Sequence, residues 1–388
     1  MLSDLAFGLA EGGFKIHIVC SRQLYDRSSA PLASRETING VTVHRVWTTR
    51  FGRERLAGRT MDYLTFYLSG AWILLKILSS GDTVVAKTDP PLISIVAMAV
   101  AKAKGAHLVN WLQDIFPEVA SRLGSNPLPK CIDGLVRGLR DTSLRSAVVN
   151  IVLGERMREF LEQRGILPEK ICVIENWAGG DSGAPRAATD SALRAKLGLS
   201  GKFVVGYSGN LGRAHEFKTV LDAASLLSHD DDIVFLMIGG GAGMAALRQA
   251  VRGRGLHNFH FLPYQPRESL SDGMAAADVH WLSLLPILEG LIVPSKVYGI
   301  LAAGRPVLFV GDEHGEVARL IGSAQAGATV GVGDARELVR QIVELKCDGK
   351  RRESIGLNGY GLYRDRFTPQ RALGRWSAVL RRSAPGAS

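Results

Sequence analysis

The chain has 388 residues, which is more than one hydrophobic core comfortably holds, and its hydrophobic content of 46% is ample for two domains. A formal net charge of +10 is compatible with nucleic acid, an anionic membrane surface or phosphorylated ligands as partners. The basic residues form no long tract with interleaved aromatics, and no nucleic-acid-binding module is recognisable, which disfavours nucleic acid. The four cysteines contain no C-x-x-C pair, so buried free thiols in a reducing cytosol are expected.

The N-terminal half predicts short apolar strands that alternate with helices. The predicted helices are 2–11, 61–78, 92–103 and 155–164, and the predicted strands are 14–20, 41–46, 83–87, 107–112, 148–153 and 171–174. This alternation is typical of a parallel, doubly wound sheet in an α/β domain.

A basic segment precedes the helix predicted at residues 61–78. Five arginines lie from Arg45 to Arg59, and the aromatic and aliphatic residues from Tyr63 to Leu78 follow them. A basic loop followed by an apolar helix can rest on anionic lipid headgroups. A core helix behind a solvated arginine loop fits the same residues. The longest apolar run is too short to span a bilayer, so we expect a cytoplasmic protein with at most peripheral contact at the inner face of the plasma membrane.

The strand predicted at residues 107–112 leads into the sequence NWLQDIFPE, residues 110–118. In doubly wound sheets, ligands bind outside the carboxyl ends of the strands. Asp114 and Glu118 therefore fall where a ligand is expected. Asp is also a common helix N-cap, and the residues alone support that role equally for Asp114.

Periodicity disappears after Trp177, where small and turn-forming residues take over. We therefore expect a first domain at residues 1–180, a linker at 181–190, a second domain at 191–365 and a terminal segment at 366–388. Glycine-rich linkers of this kind can act as hinges.

The second half continues the alternation of strands and helices. Its predicted strands are 203–207, 233–238, 259–263, 279–285, 306–310 and 327–330. The first of them runs into GNLGR, residues 209–213, and the second into Gly239 and Gly240. Glycine-rich backbone at a helix start can cradle phosphate, although a tight strand-to-helix turn needs glycine equally.

Residues 281–310 read as strand, loop, helix and strand. Pro294 fits a first helical position, and Ser295 and Lys296 follow it. Free amides at a helix start, together with the Lys296 charge, predict a phosphate site. A carboxylate such as Glu289 repels phosphate and suits sugar hydroxyls, so the pair indicates a nucleotide sugar. A solvated loop acid and a surface lysine would explain the same two residues.

The sequence EGLIVPSKVYGILAAGRPVL, residues 289–308, resembles the signature of the family 4 (group 1) GT-B glycosyltransferases, and the resemblance covers nearly the whole chain. It is closest to bacterial polysaccharide-assembly members of the fucosamine-transferase-like kind, which share the GNLGR and NWLQDIFPE patterns. The resemblance implies two Rossmann-like, doubly wound domains that face a cleft, with the acceptor on the N-terminal side and the nucleotide sugar on the C-terminal side. It also implies metal-independent, retaining transfer of a hexosyl or N-acetylhexosaminyl group to a lipid-linked or saccharide acceptor.

The same resemblance assigns expectations to individual residues. Glu289 matches the family's donor-sugar Glu, whereas Gly299 stands where a second Glu would hold the ribose. Asn210 and His215 occupy positions where family members carry an arginine and a lysine, so Arg213 becomes the candidate for the diphosphate charge.

The full set of candidates follows from these assignments. The catalytic candidates are Glu289 and Asp114, and the acceptor-side candidates are Asp114, Glu118 and Asn176. The donor-binding candidates are Gly209, Asn210, Arg213, Gly239, Gly240, Leu262, Pro294, Ser295 and Lys296. No cofactor and no metal are expected beyond the nucleotide-sugar substrate.

Family members begin with a strand and a glycine-rich turn before their first helix. This chain opens directly on the helix predicted at residues 2–11, so we expect the first strand of the N-terminal sheet to be missing and the natural protein to begin upstream.

Two other functions stay open. A sugar-nucleotide epimerase can use the same fold on a single substrate, and a non-catalytic nucleotide-sugar-binding subunit is favoured by Gly299.

Overall fold

The computed structural model describes residues 1–23, 32–52, 56–125, 129–179 and 185–383. In the N-terminal half the strands are β1 (His17–Ser21), β2 (Arg35–Ile38), β3 (Val41–Val46), β4 (Thr83–Lys87), β5 (His107–Trp111), β6 (Val149–Val152) and β7 (Ile171–Val173). The helices there are α1 (Leu2–Glu11), α2 (Leu56–Ile77), α3 (Ile93–Lys104), α4 (Glu118–Arg122), α5 (Lys130–Ser146) and α6 (Glu155–Gln163).

These strands form two sheets. One contains β1, β3 and β2 in that order, and the other is a parallel sheet with the order β4-β5-β6-β7. The pairing of β1 with β3 is parallel, as predicted, but β2 pairs with β3 in the antiparallel direction. The sequence analysis did not predict β2, whose side chains are mostly exposed.

The C-terminal half contains one six-stranded sheet. Its strands are β8 (Phe203–Asn210), β9 (Ile233–Gly240), β10 (Phe259–Leu262), β11 (Val279–Ser283), β12 (Val307–Val310) and β13 (Gly327–Val330). Its helices are α7 (Ala192–Lys196), α8 (Lys218–Leu226), α9 (Ala242–Gly253), α10 (Leu270–Ala275), α11 (Lys296–Ala302), α12 (Glu316–Ser323), α13 (Ala335–Cys347) and α14 (Gly349–Arg366).

The strand order of this sheet is β10-β9-β8-β11-β12-β13, and every pairing is parallel. The order therefore reverses between β8 and β11, which creates a crevice at their carboxyl ends. The central strands are apolar on both faces, and Val204, Phe235 and Leu308 are fully buried, because helices cover both sides of the sheet. The predicted parallel, doubly wound architecture is confirmed.

The last helix, α15 (Pro369–Ser383), packs against the N-terminal half. The ring of Trp376 is fully buried and meets Trp111 edge to face at 4.9 Å between centroids. Arg375 pairs with Glu175, which follows β7, at 2.5 Å. Residues 384–388 of the predicted terminal segment and residues 180–184, which include most of the predicted linker's first half, lie outside the described residues.

Three local predictions need correction. Strand β8 continues three residues beyond the predicted end at Tyr207, because Gly209 and Asn210 pair in register with the last residues of β9. Helix α2 begins at Leu56 and not at residue 61. Cys131 and Cys347 are exposed, whereas the composition suggested buried thiols.

Of the predicted basic segment, Arg53 and Arg55 lie outside the described residues. Among the described helices, none has the length and apolar character needed to cross a bilayer.

Candidate functional site

A cleft of about 440 Å³ lies between the two halves of the chain, at the crevice where β8 and β11 end. Its N-terminal wall comes from α2 and from the carboxyl ends of β4, β5, β6 and β7 and the segments that follow them, and its C-terminal wall comes from the segments after β8 and β11. The lining residues are Tyr63, Lys87, Thr88, Asp89, Pro91, Gln113, Asp114, Leu153, Asn176, Ala214, His215, Leu284, Ile292, Val293, Pro294, Ser295 and Lys296.

Lys296 supplies the charge of the C-terminal wall. Its ammonium lies 3.1 Å from Nε2 of His215, whose Nδ1 is 2.6 Å from the carbonyl oxygen of Ser283. Burial lowers the pKa of Lys296 to about 8. Burial, followed by the neighbouring Lys296 charge, lowers the pKa of His215 to about 4. At neutral pH the pair therefore consists of one cation and one neutral imidazole.

Two predicted glycines make room for this lysine. Gly209 has a φ of +126°, and a Cβ there would lie 2.8 Å from Cε of Lys296. Gly239 faces Gly209 across the β8–β9 ladder, and a Cβ on it would collide with the carbonyl of Gly209. The glycines of the predicted phosphate cradle are thus needed by strand packing and by the path of the Lys296 side chain.

The other donor-side candidates lie around the ends of β8, β9 and β10. Asn210 is exposed at the end of β8, with its side-chain oxygen against Gly241. Gly240 lies beside the ring of Tyr264, and Leu262 is the last residue of β10. Arg213 is exposed and is not among the residues that line the cleft, although its neighbours Ala214 and His215 are.

Pro294 and Ser295 line the cleft beside Lys296, but the helix begins at Lys296, so Pro294 precedes it and does not occupy its first position as predicted. The helix that follows, α11, is only seven residues long, and the Ser295 side chain does not cap it. The preceding loop is joined to the N-terminal half by backbone pairing. Ile115 donates its backbone N–H to the carbonyl of Leu291 at 2.9 Å, and Asp114 and Ile292 form an isolated antiparallel β-bridge. This loop therefore joins the two walls.

The structure does not bring Glu289 to the lining of the cleft. One carboxylate oxygen accepts the backbone N–H of Glu316 at the start of α12, at 3.1 Å, and the other is buried with no hydrogen-bond partner among the described residues. Burial raises the pKa of Glu289 to about 7. Glu316 in turn accepts the backbone N–H of Arg156 at the start of α6, at 2.9 Å. The donor-sugar role of Glu289 stays a prediction, and its observed partner belongs to the contact between the halves.

On the N-terminal wall, Asp114 opens into the cleft. Asp114 is exposed to the open cleft, and the partial desolvation by the surrounding protein raises its pKa, while the nearby Lys87 opposes that rise. Gln113 and Asn176 exchange two amide hydrogen bonds of 3.2 and 3.0 Å beside it. Asp114 and Asn176 are thus brought together on the wall where the sequence analysis expected the acceptor.

Glu118, the third acceptor-side candidate, lies elsewhere. Its carboxylate is buried and accepts two hydrogen bonds from Arg140, at 3.0 and 2.7 Å, and it forms an ion pair with Arg137 at 2.7 Å. A carboxylate whose oxygens are all engaged by guanidinium groups is stabilised as part of the fold. The expectation that Glu118 faces the acceptor is corrected on this geometry.

Sequence reasoning missed three residues at the carboxyl end of β4 and directly after it that also line the cleft: Lys87, Thr88 and Asp89. Their signal was available, since they follow a parallel strand whose carboxyl end meets that of β5. The partnership of His215 with Lys296 was missed as well, because it joins residues 81 positions apart. Within the described residues, no group of three or more His, Cys, Asp or Glu side chains is placed to hold a metal ion.

Comparison with known families matches both halves of the chain. The model for "Glycosyl transferase 4-like domain" matches residues 1–177, and the model for "Glycosyl transferases group 1" matches residues 190–361.

The curated relatives include the probable glycosyltransferase WbjE of Pseudomonas aeruginosa, 27% identical over 265 residues, which are 68% of this chain and 66% of WbjE. The putative colanic acid biosynthesis glycosyl transferase WcaI of Escherichia coli (strain K12) is 29% identical over 227 residues, or 57% of this chain and 55% of WcaI. The chain thus spans between half and two thirds of the length of these relatives.

Among solved structures, Anabaena HepE (Alr3699), in complex with UDP-glucose, has a TM-score of 0.69 and 19% identity and covers 89% of this chain and 87% of its own. This similarity shows a shared fold, the two-domain GT-B architecture.

Proposed function

The chain belongs to the group 1 glycosyl transferases, and we propose that it transfers a sugar from a nucleotide-sugar donor to a lipid-linked or saccharide acceptor in bacterial surface polysaccharide synthesis. The observation that carries the proposal is the cleft in which half-buried Lys296 faces Asp114 from the opposite wall. The names of the curated relatives, one of them a colanic acid biosynthesis enzyme, support the polysaccharide context.

Lys296 is the proposed contact for the donor diphosphate. Negative charge develops on the leaving diphosphate during transfer, and a preformed cation in a partly desolvated site stabilises it strongly. Lys296 is suited to this role because it is half-buried in the cleft and because Gly209, which has no side chain, leaves room for the lysine stem. We propose that Pro294 and Ser295 complete this subsite, that Leu262 lies near the base, and that exposed Arg213 adds charge from the rim.

Asp114 is the proposed contact for the acceptor. A carboxylate can accept the hydrogen bond of the attacking hydroxyl, and the raised pKa of Asp114 makes it a better proton acceptor than a solvated carboxylate. The Gln113–Asn176 amide pair beside it offers further hydrogen bonds to a saccharide. We extend to this chain the retaining, metal-independent course that the sequence resemblance implies, with a hexosyl or N-acetylhexosaminyl donor.

The acceptor side also carries the surface that we propose rests on an anionic membrane. Five large apolar side chains lie on one face of α2 at helical spacing, and all are exposed: Met61, Leu64, Leu68, Trp72 and Leu75. The stripe is about 21 Å long at 1.5 Å per residue. Exposed Arg50 and Arg59 precede it, and Lys76 lies over the Trp72 ring at 4.6 Å.

Apolar residues flanked by cations suit the boundary between headgroups and acyl chains. Because Tyr63 of the same helix lines the cleft, a lipid-linked acceptor bound there would approach along α2. We propose that the protein works at the cytoplasmic face of the membrane.

One experiment separates this function from its competitors. Thermal stabilisation by UDP-glucose and UDP-N-acetylglucosamine would identify a donor, which is then incubated with and without membrane extracts that contain acceptors. Glycosyl transfer that needs the acceptor supports the proposal. Release of an epimer without acceptor would identify an epimerase, and donor binding without turnover in either mixture would identify a binding subunit.

A further inference from the structure

We propose that His215 is a neutral positioning residue, which holds the ammonium of Lys296 in the cleft so that Lys296 alone supplies the cation of this corner of the diphosphate site. The inference rests on the proposed function of the cleft. It also differs from the role that the sequence resemblance implies for family members, in which a lysine at the position of His215 binds the diphosphate directly.

The tautomer of His215 follows from its two partners. Nδ1 lies 2.6 Å from the carbonyl oxygen of Ser283, and a carbonyl can only accept, so Nδ1 carries the proton. Nε2 lies 3.1 Å from the ammonium of Lys296, and an ammonium can only donate, so Nε2 presents its lone pair. Both contacts are satisfied only by the neutral imidazole. A doubly protonated His215 would direct an N–H at the Lys296 ammonium.

The frame around His215 is fixed at both ends. The Ser283 hydroxyl donates to the carbonyl of Glu216 at 2.6 Å, and the backbone N–H of Leu285 donates to the carbonyl of Ala214 at 2.9 Å. These bonds join the end of β11 to the loop that carries His215. The imidazole therefore has little freedom to move away from Lys296.

Lys296 has no carboxylate partner among the described residues, and burial alone accounts for its lowered pKa. Its stem passes over Gly209, and its ammonium lies 5.5 Å from the centre of the Tyr207 ring. One of its three N–H groups is directed at His215, which leaves two for an anion. A flexible lysine would otherwise have to be ordered when the ligand binds, at an entropic cost that the His215 contact reduces.

The arrangement predicts how binding depends on pH. The titratable groups that face Lys296 are His215 and Tyr207 on its own wall, with Lys87, Asp89 and Asp114 across the cleft. Loss of the Nε2 acceptor removes a hydrogen bond that favours the charged amine, so the pKa of Lys296 falls further. Anion binding should then weaken at a lower pH than in the wild type.

The test measures the affinity of inorganic pyrophosphate by calorimetry between pH 6 and pH 9. The variants are Lys296→Ala, His215→Phe and His215→Gln, and Lys218→Ala is the control because that lysine is exposed and paired with Asp222. We expect His215→Phe to weaken binding on the order of tenfold at pH 7.5, the typical worth of a hydrogen bond to a charged group, and to move the alkaline loss of binding to lower pH. His215→Gln can donate to Ser283 and accept from Lys296, so it should restore most of the affinity and the wild-type pH dependence.

Three results would overturn the inference. The first is wild-type pyrophosphate affinity and pH dependence in His215→Phe. The second is an equal loss of pyrophosphate affinity in His215→Phe and His215→Gln, when both variants keep the wild-type unfolding temperature. A third is wild-type binding that already declines between pH 6 and 7, since His215 would then be the cation. Unchanged affinity in Lys296→Ala would instead refute the anion site itself and with it the proposed donor wall, so the two failures can be told apart.

Discussion

The two walls of the cleft are built differently. On the C-terminal wall, the strands that lead to the site are buried on both faces, and Lys296 is held between His215, Gly209 and the Tyr207 ring. On the N-terminal wall the strands belong to a smaller, four-stranded sheet, and the nearby helix α2 exposes Leu68 by 75% and Trp72 by 60%. The difference indicates that the proposed donor side is preorganised around a small charged group. The proposed acceptor side leaves apolar surface open to a larger partner.

The largest expected effect breaks the preorganised wall. Lys296→Ala should lower the rate of transfer by roughly 100-fold to 1,000-fold, because an electrostatic contact made to the leaving group is worth about 2.7–4 kcal/mol in the transition state. Stability should barely change, since the lysine forms no ion pair among the described residues. Transfer assays with saturating donor and acceptor measure the effect. A wild-type rate under those conditions would exclude Lys296 from the reaction.

The position of Lys296 shows how far the sequence can predict such a site. Proline, serine and lysine at the start of a predicted helix marked one corner of the cleft from local pattern alone. The role of His215 depends on the carbonyl of Ser283 and on the side chain of Lys296, which are both far from it in the sequence. A local sequence pattern therefore cannot predict this role. Glu118 shows the opposite error, because an acid after a strand looks the same whether it faces a ligand or two buried arginines.

The fold was easier to predict than the site. Strands at Val41–Val46, Thr83–Lys87 and Gly327–Val330 coincide with their predicted bounds, since short apolar runs are typical of strands buried in parallel sheets. The edge strand β2 was missed because its exposed face gives no apolar signal. Helix α5 was missed as well, and it exposes the apolar residues Ile132, Leu135 and Leu139, which a pattern based on core packing cannot place.

A second prediction concerns the contact between the walls. The folded-state pKa of Glu289, raised to about 7 from 4.5, means that the folded protein favours the protonated form. Its contribution to stability is therefore full below pH 4.5 and is lost as the pH rises towards 7. Glu289→Gln cannot ionise, so it should exceed the wild type in free energy of unfolding by about 1–3 kcal/mol at pH 8 and match it near pH 4.5.

Denaturant unfolding at several pH values checks this prediction, and parallel stability curves for the two proteins would contradict it. The same variant tests the predicted donor-sugar role of Glu289. Reduced use of the donor sugar, with unchanged affinity for the nucleoside diphosphate, would support a sugar contact. If transfer is unchanged, the role of the Glu289 carboxylate is the hydrogen bond that it accepts from the backbone N–H of Glu316 at the start of α12.

A third prediction sharpens the separation of donor and acceptor. Asp114→Asn should lower transfer by about 10-fold to 100-fold, since it replaces the charged carboxylate that accepts the hydrogen bond of the acceptor hydroxyl with a neutral amide, which is a weaker acceptor and a poor base. Nucleoside diphosphate affinity should stay the same, because Asp114 lies on the other wall from Lys296. Kinetics with varied acceptor, together with calorimetry of the nucleotide, give both quantities. Equal loss of nucleotide binding in Asp114→Asn and Lys296→Ala would show that the walls do not divide the substrates in this way.

The smallest effect is expected at the apolar stripe of α2. Leu68→Ser and Trp72→Ser should each weaken binding to vesicles containing anionic lipid about five- to tenfold. Full burial of a large apolar side chain is worth about 1.5–3 kcal/mol, and a side chain that is only partly inserted into the interface contributes about 1 kcal/mol of this. Leu226→Ser is the matched control, since Leu226 is 56% exposed on α8 of the other half. Sedimentation with vesicles at two salt concentrations measures the binding. Salt should weaken all variants alike through screening of Arg50, Arg59 and Lys76, whereas the serine substitutions act at either salt concentration. If Leu226→Ser reduces binding as much as Leu68→Ser, the attachment is not specific to α2. We would then conclude that the exposed apolar stripe of α2 does not bind the membrane, and that the proposed acceptor is a soluble saccharide.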